Sequence, residues 1–169
     1  MSTSVGTRTS TRTQTATHLS DAILGSFSSI LATLGLSDAY LARHWATIEN
    51  GLTMWIGEGS LDEARLEIGS PADPDAVFDV PIEYRYTGEG NIEFVTSQAR
   101  LARAMAKFTS VPAGAECRVV VTHRCQHTEV TGWSETTAAD SSGLSGYRLG
   151  SLASGPDASA SMTYFSRRI

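Results

Sequence analysis

Cys117-Arg118-Val119-Val120-Val121-Thr122-His123 is a strongly β-branched run that reads as a strand. What flanks it decides the fold. Before it lie three segments of helical period and two of strand period; after it comes a long stretch of Ser, Gly, Ala and Thr with few large apolar side chains. Upstream, Ile23, Leu24, Phe27, Ile30, Leu31 and Leu34 make the stripe of an amphipathic helix beginning near Ser20, and Gly35 closes it as a left-handed cap. Ser37 or Asp38 caps a second helix carrying Leu41, Trp45, Ile48, Leu52 and Trp55, with both tryptophans expected in the core and Gly57 and Gly59 as the stop.

The period then falls to two. Ala64, Leu66 and Ile68 form one strand, and Phe78, Val80, Ile82, Tyr84 and Tyr86 a second, separated by the turn-rich stretch 70–75. Pro81 cannot donate to a ladder, so one edge of the second strand is expected to break there. Gly88-Glu89-Gly90-Asn91 reads as a loop. Val95, Leu101, Met105 and Phe108, with Ala99, Ala102, Ala104 and Ala106, predict a third helix begun by Thr96 or Ser97. The expectation is an α+β fold, three helices on a small, mainly antiparallel sheet.

Beyond Gln126, composition alone calls the chain loop or disorder. Met162 and Tyr164 on one face, with Thr163 and Phe165 on the other, restore the alternation of a strand before Arg167 and Arg168. A weakly anchored segment ending in an orderable strand has the make-up of a movable arm. At the other end, Thr7, Thr9, Thr11, Thr13, Thr15 and Thr17 alternate with other residues, a spacing that would put them on one face of a strand. With almost no apolar side chains, residues 1–16 are expected to form a flexible tail.

The 169 residues suffice for one domain with a real core. A net charge of −5 gives no basic field for a phosphate backbone, which argues against direct nucleic-acid binding. No apolar run approaches the roughly 20 residues of a membrane helix, no secretory h-region is present, and the arginines of the N-terminus lack the apolar face of a transit peptide. Two cysteines, Cys117 and Cys125, fit a reducing cytoplasm.

Little chemistry is visible. Cys117, His123, Cys125 and His127 suggest zinc, yet His123 and His127 would be about 13 Å apart on an extended strand, whereas ligands of one ion lie within roughly 5 Å. No metal or cofactor is expected. Gly143-Leu144-Ser145-Gly146 falls short of a nucleophile elbow, and no phosphate-binding or dinucleotide fingerprint occurs. A small metal protein or enzyme using His123, Cys125 and His127, and a strand-edge oligomerisation module, remain as alternatives to a non-enzymatic binder.

Several segments, in order, resemble the bacterial HORMA proteins of CBASS antiphage operons, in particular their first group. They are Ala16-Thr17-His18, Asn50-Gly51-Leu52-Thr53-Met54-Trp55-Ile56 with Gly59-Ser60-Leu61, Arg118-Val119-Val120-Val121-Thr122, Gly132-Trp133-Ser134-Glu135-Thr136-Thr137, Arg148-Leu149-Gly150-Ser151 and Ser161-Met162-Thr163-Tyr164-Phe165-Ser166-Arg167-Arg168.

The resemblance implies a single HORMA domain over 17–169, with a core at 17–130 and a C-terminal safety belt at 131–169. It implies capture of a closure peptide as an added strand along Arg118, Val119, Val120, Val121 and Thr122, beneath a belt that includes Trp133, Ser134, Leu144, Tyr147, Leu149, Tyr164 and Phe165. The belt would cross to pair with strand 77–86, and Pro81 would interrupt that ladder. Further implied partners are a cyclic-oligonucleotide synthase (CD-NTase) activated by the closed form and an AAA+ remodelling ATPase that grips the N-terminus at Thr7, Arg8 and Arg12. A sister HORMA protein is a further candidate partner.

Overall fold

The structure is a computed structural model and describes residues 3–85, 95–96, 99–106 and 111–167. Helices α1 (Thr3–Thr33) and α2 (Ala39–Glu58) are followed by strands β1 (Leu61–Ser70) and β2 (Asp73–Tyr84). Then come β3 (Val95–Thr96), α3 (Ala99–Ala106), β4 (Cys117–His123), β5 (Ser145–Ser154) and β6 (Ala158–Ser166). The strands form one sheet in the order β3-β5-β6-β2-β1-β4, antiparallel throughout.

The α1 stripe is buried as its spacing predicts: Ile23, Leu24, Phe27, Ile30 and Leu31 are fully buried, and so are Leu19 and Ala16, one and two turns earlier. The helix lies against α2 and against β5 and β6. It ends in a left-handed Gly35, where Leu36 N–H reaches back to the Leu31 carbonyl at 2.9 Å. Gly59 ends α2 in the same way, with Ser60 N–H on the Trp55 carbonyl at 2.9 Å, whereas Gly57 lies within the helix.

The threonine-rich N-terminus departs from its expected form. It is helix from Thr3, Thr15 is buried, and Thr17 donates its hydroxyl to the Thr13 carbonyl at 3.0 Å. A threonine hydroxyl can satisfy itself on the preceding turn, so β-branched content does not by itself impose a strand. Trp45 departs too: it is 36% exposed and donates to Glu49 at 3.3 Å, whereas Trp55 is core.

In β1 the even positions Ala64, Leu66 and Ile68 face the helices, as do Phe78, Val80 and Ile82 of β2. Each buried Val, Leu, Ile or Phe among them contributes about 1.5–3 kcal/mol. The β1–β2 hairpin is tighter than the composition suggests, since Ser70 pairs with Asp73 across Pro71-Ala72. The hairpin requires Gly69: its φ is 101°, and a Cβ there would meet Asp75 Oδ2 at 2.5 Å.

Val95 and Thr96 form a short strand paired with Ser154 and Ala153 rather than opening the third helix. Tyr86, the loop at 88–91, Ser97, Phe108 and Arg168 lie outside the described residues.

The largest difference is in the arm. The stretch read as loop carries β5, and β5 and β6 form a hairpin docked on β2. Ala158, Ala160 and Met162 of β6 and Leu152 and Ala153 of β5 are buried in the core. Small residues hide little apolar area each, which is why composition missed them; here they let two strands lie close under α1. The β2–β6 ladder runs through Asp79↔Thr163, skips Val80 and Pro81, and resumes at Ile82↔Ala160, so Pro81 breaks it as predicted.

Candidate functional site: an open strand edge inside a belt

β4 is the terminal strand at the end of the sheet away from β3. It carries Arg118, Val119, Val120, Val121 and Thr122 in register with Glu67, Leu66, Arg65, Ala64 and Glu63 of β1. Beside its outer edge is a groove of about 240 Å³. Tyr40, His44, Thr47 and Ile48 of α2 form one wall, residues 118–120 the floor, and Gly132, Trp133, Ser134 and Thr136 the other wall.

The segment after β4 wraps around that edge. On the helix side, Trp133 donates its indole N–H to the Thr47 carbonyl at 3.0 Å and packs edge-on against Trp55, with ring centroids 4.9 Å apart. Gly51 makes room for it, since a Cβ there would stand 2.5 Å from Trp133 Nε1. A few residues later the chain is on the opposite face of the sheet. There Arg118 donates to Thr136 Oγ1 at 3.1 Å and to the Thr137 carbonyl at 2.8 Å, and Arg65 donates to the Ala139 carbonyl at 2.9 Å. The chain then enters β5, on the other side of β2. Any strand lying along β4 in this groove is therefore inside the loop.

That outer face carries a buried charge cluster. Glu67 accepts from Arg118 Nε at 2.6 Å and from the Ala139 amide at 2.6 Å, and Arg65 Nε lies 2.6 Å from Asp79 Oδ1. Burial pushes the Asp79 carboxyl above its ordinary value even though Arg65 pulls the other way. Burial, then the Asp79 charge, also raises Glu63. In the sequence, Glu63, Arg65 and Glu67 look like the solvated side of an amphipathic strand; only the belt lying over them makes the set structural.

At the root of the belt the chain bends sharply, which corrects the extended-strand distance. The His123 and His127 rings stack with centroids 3.5 Å apart, and Trp55 meets both edge-on. The Trp55 indole N–H donates to the Thr128 carbonyl at 2.7 Å. Burial and the neighbouring His127 hold His123 below its usual value. Burial would raise Glu58, but hydrogen bonds from Ser60 and Thr128 outweigh it and the carboxyl lies below the ordinary range. Parallel faces do not converge their nitrogens on one point, Cys125 is exposed, and among the described residues no group of three or more His, Cys, Asp and Glu could hold a metal.

Of the remaining residues singled out in the sequence, Ser134 lies in the groove wall and Leu144 immediately precedes β5. Tyr147 and Leu149 are on β5, with Tyr164 and Phe165 on β6. Tyr147, Tyr164 and Phe78 stack across three strands at 5.0 and 6.0 Å. Thr7, Arg8 and Arg12 fall on α1. Tyr40, Thr47, Arg65, Glu67 and Ala139 were not legible as site residues, because each acts through a neighbour distant in sequence.

The fold has close relatives of low identity. A chain of the mitotic checkpoint complex superposes with a TM-score of 0.72 at 15% identity, covering 89% of this chain and 97% of that one. C. elegans HTP-1 bound to the HIM-3 closure motif gives 0.67 at 13% identity, with 87% of each chain covered. The E. coli MS115-1 CdnC:HORMA-deltaN complex gives 0.58 at 8% identity, covering 93% and 90%. No curated protein matches. No described helix is long and apolar enough to cross a membrane. The segments quoted above resemble the first bacterial group, whereas the family model that matches, over residues 2–168, is described as Bacterial HORMA domain 2. The correction concerns the group alone: with that match over nearly its whole length, the chain belongs to the bacterial HORMA domain 2 family.

Proposed function

We propose that this chain is a non-enzymatic, cytoplasmic signalling adaptor that captures a closure peptide along β4 and holds it under the belt. The observation that carries the reading is the path of residues 133–139, which pass from α2 to the opposite face of the sheet around a strand edge. Strand addition draws affinity from main-chain hydrogen bonds and selectivity from alternate side chains. Because the belt encloses the guest, dissociation requires the belt to lift, so release is slow without any covalent step. Reversing a 1:99 distribution between two such states takes about 5.5 kcal/mol of differential binding, which suits an ATP-driven reset.

Solved structural relatives support both halves of the reading. HTP-1 is bound to a closure motif, and a bacterial HORMA protein is in a complex with CdnC. By analogy, the peptide-loaded form of this chain binds and activates a cyclic-oligonucleotide synthase in antiphage defence, and an AAA+ remodeller resets it by pulling on α1.

Deleting 134–169 would remove two core strands and is no test of the belt. Instead, peptides are selected on the full chain from a random nine-residue library and labelled with fluorescein. A protease site is then inserted between Ser142 and Gly143, both exposed. Cutting it should speed release of the labelled peptide about tenfold or more. Identical rates before and after cutting would refute enclosure by the belt. A nucleotidyltransferase encoded beside this gene should gain activity only with the peptide-loaded chain.

A further inference from the structure

The amide of Val119 donates to the hydroxyl of Tyr40 at 3.2 Å. In an antiparallel pair, opposed residues alternate between exchanging both main-chain bonds and exchanging none. Val119 stands opposite Leu66, between Arg118↔Glu67 and Val120↔Arg65. Since its amide goes to a side chain from α2, Val119 is in a non-bonded pair and its amide points away from β1. By the same alternation, Cys117 and Val121 also present their main-chain groups to the open edge. These are the groups that an added strand has to reach, and one of the donors is already occupied.

We propose that Tyr40 is a displaceable cap on this edge: its hydroxyl occupies the position of a guest carbonyl at Val119 and is expelled when the guest strand pairs. This rests on the reading of β4 as the capture edge. Tyr40 is placed for the task. It sits in the first turn of α2, lines the groove, and its ring packs against His44 with centroids 4.8 Å apart. The hydroxyl therefore arrives on a packed ring from a helix, and it can turn to water in the open groove once a carbonyl takes its place. Unpaired strand edges attract any strand that can reach them, and proteins commonly cover them. A side-chain acceptor at the middle of the edge raises the threshold for a casual strand, while a guest making the full ladder overcomes it.

The sign of the test sets this apart from an ordinary contact. Tyr40→Phe keeps the ring and removes the competitor. It should bind the selected fluorescein-labelled peptide about three- to tenfold more tightly, the net worth of one hydrogen bond. In the free chain, amide deuterium exchange at Val119 should accelerate by a similar factor, while Arg118 and Val120, bonded to β1, keep their rates and report an intact fold. Equal or weaker binding by Tyr40→Phe would overturn the cap, as would an unchanged Val119 exchange rate. A library that yields no binder to the wild-type chain would instead overturn the capture reading, and the displacement with it.

Discussion

Arg118 Nε stands 2.6 Å from Oε1 of Glu67, whose side chain is only 2% exposed, while Oε2 of the same carboxylate accepts the Ala139 amide at 2.6 Å. One buried charge thus joins the edge strand to the belt, and it holds the belt by its backbone. The Glu67 contact needs only the main chain of Ala139, which helps to explain how so polar a segment can be held in place.

Removing this carboxylate takes one of several partners from Arg118 and from Arg65 and leaves the Ala139 amide without its acceptor. Glu67→Ala should lower the stability of the chain by about 2–3 kcal/mol in urea unfolding, because a buried amide loses its charged acceptor and two arginines lose one ion-pair partner each. Glu67→Gln retains an acceptor for Ala139 and should cost less. Equal losses for the two substitutions would show that the Ala139 bond contributes nothing.

Gly51→Ala tests the other anchor of the belt. Its Cβ would collide with the Trp133 indole, which would have to leave the Thr47 carbonyl. The expected cost is about 1–3 kcal/mol of overpacking, together with a red-shifted tryptophan emission as the ring becomes wet. Trp133→Ala should reproduce the faster peptide release without the clash.

Mild acid should loosen the belt root. His123 lies below its usual 6.5, so the unfolded chain binds more protons in the interval just beneath that value, and stability is lost as pH falls through it. Glu58, depressed below 4.5, adds a loss of the same sign at lower pH. Glu63 and Asp79 are raised, so their contribution is present below about 4.5 and 3.8 and lost as pH rises past their folded values. The thermal midpoint should therefore fall between pH 7 and pH 5.5, and His123→Gln should flatten that slope. A wild-type midpoint unchanged over this range would contradict the assignment.

The N-terminal turns of α1 should be dispensable for the fold. Deleting residues 1–11 keeps the buried Thr15 and Ala16 in place and should leave the melting temperature and peptide affinity close to those of the full chain. The same deletion should abolish opening by an AAA+ remodeller. Opening at the full rate by the truncated chain would place the grip elsewhere.

Periodicity and caps made much of this fold legible. The stripe from Ile23 to Leu31, the glycines at 35 and 59, the alternation of Ala64, Leu66 and Ile68, and the break at Pro81 each state a local rule that no distant residue had to complete. At the site, the strand Arg118–Thr122 was equally plain, because β-branched side chains advertise it. The partners of that strand were not. Nothing local in Tyr40 says that its hydroxyl caps Val119, and nothing in Glu67 says that it is covered by Ala139.

By itself, then, the sequence determined two helices, a sheet core and an edge-forming strand, since burial of large apolar groups at helical or strand period leaves few other solutions. Apart from the strand announced by the alternation of Met162 to Phe165, only the tertiary structure decided where residues 124–166 go. Their serines, glycines and alanines bury too little area to declare a face, and their pairing with β2 is made by main-chain groups that every residue but proline possesses. The same holds for the stacked histidines and the belt latch, whose energies come from neighbours that only folding brings together.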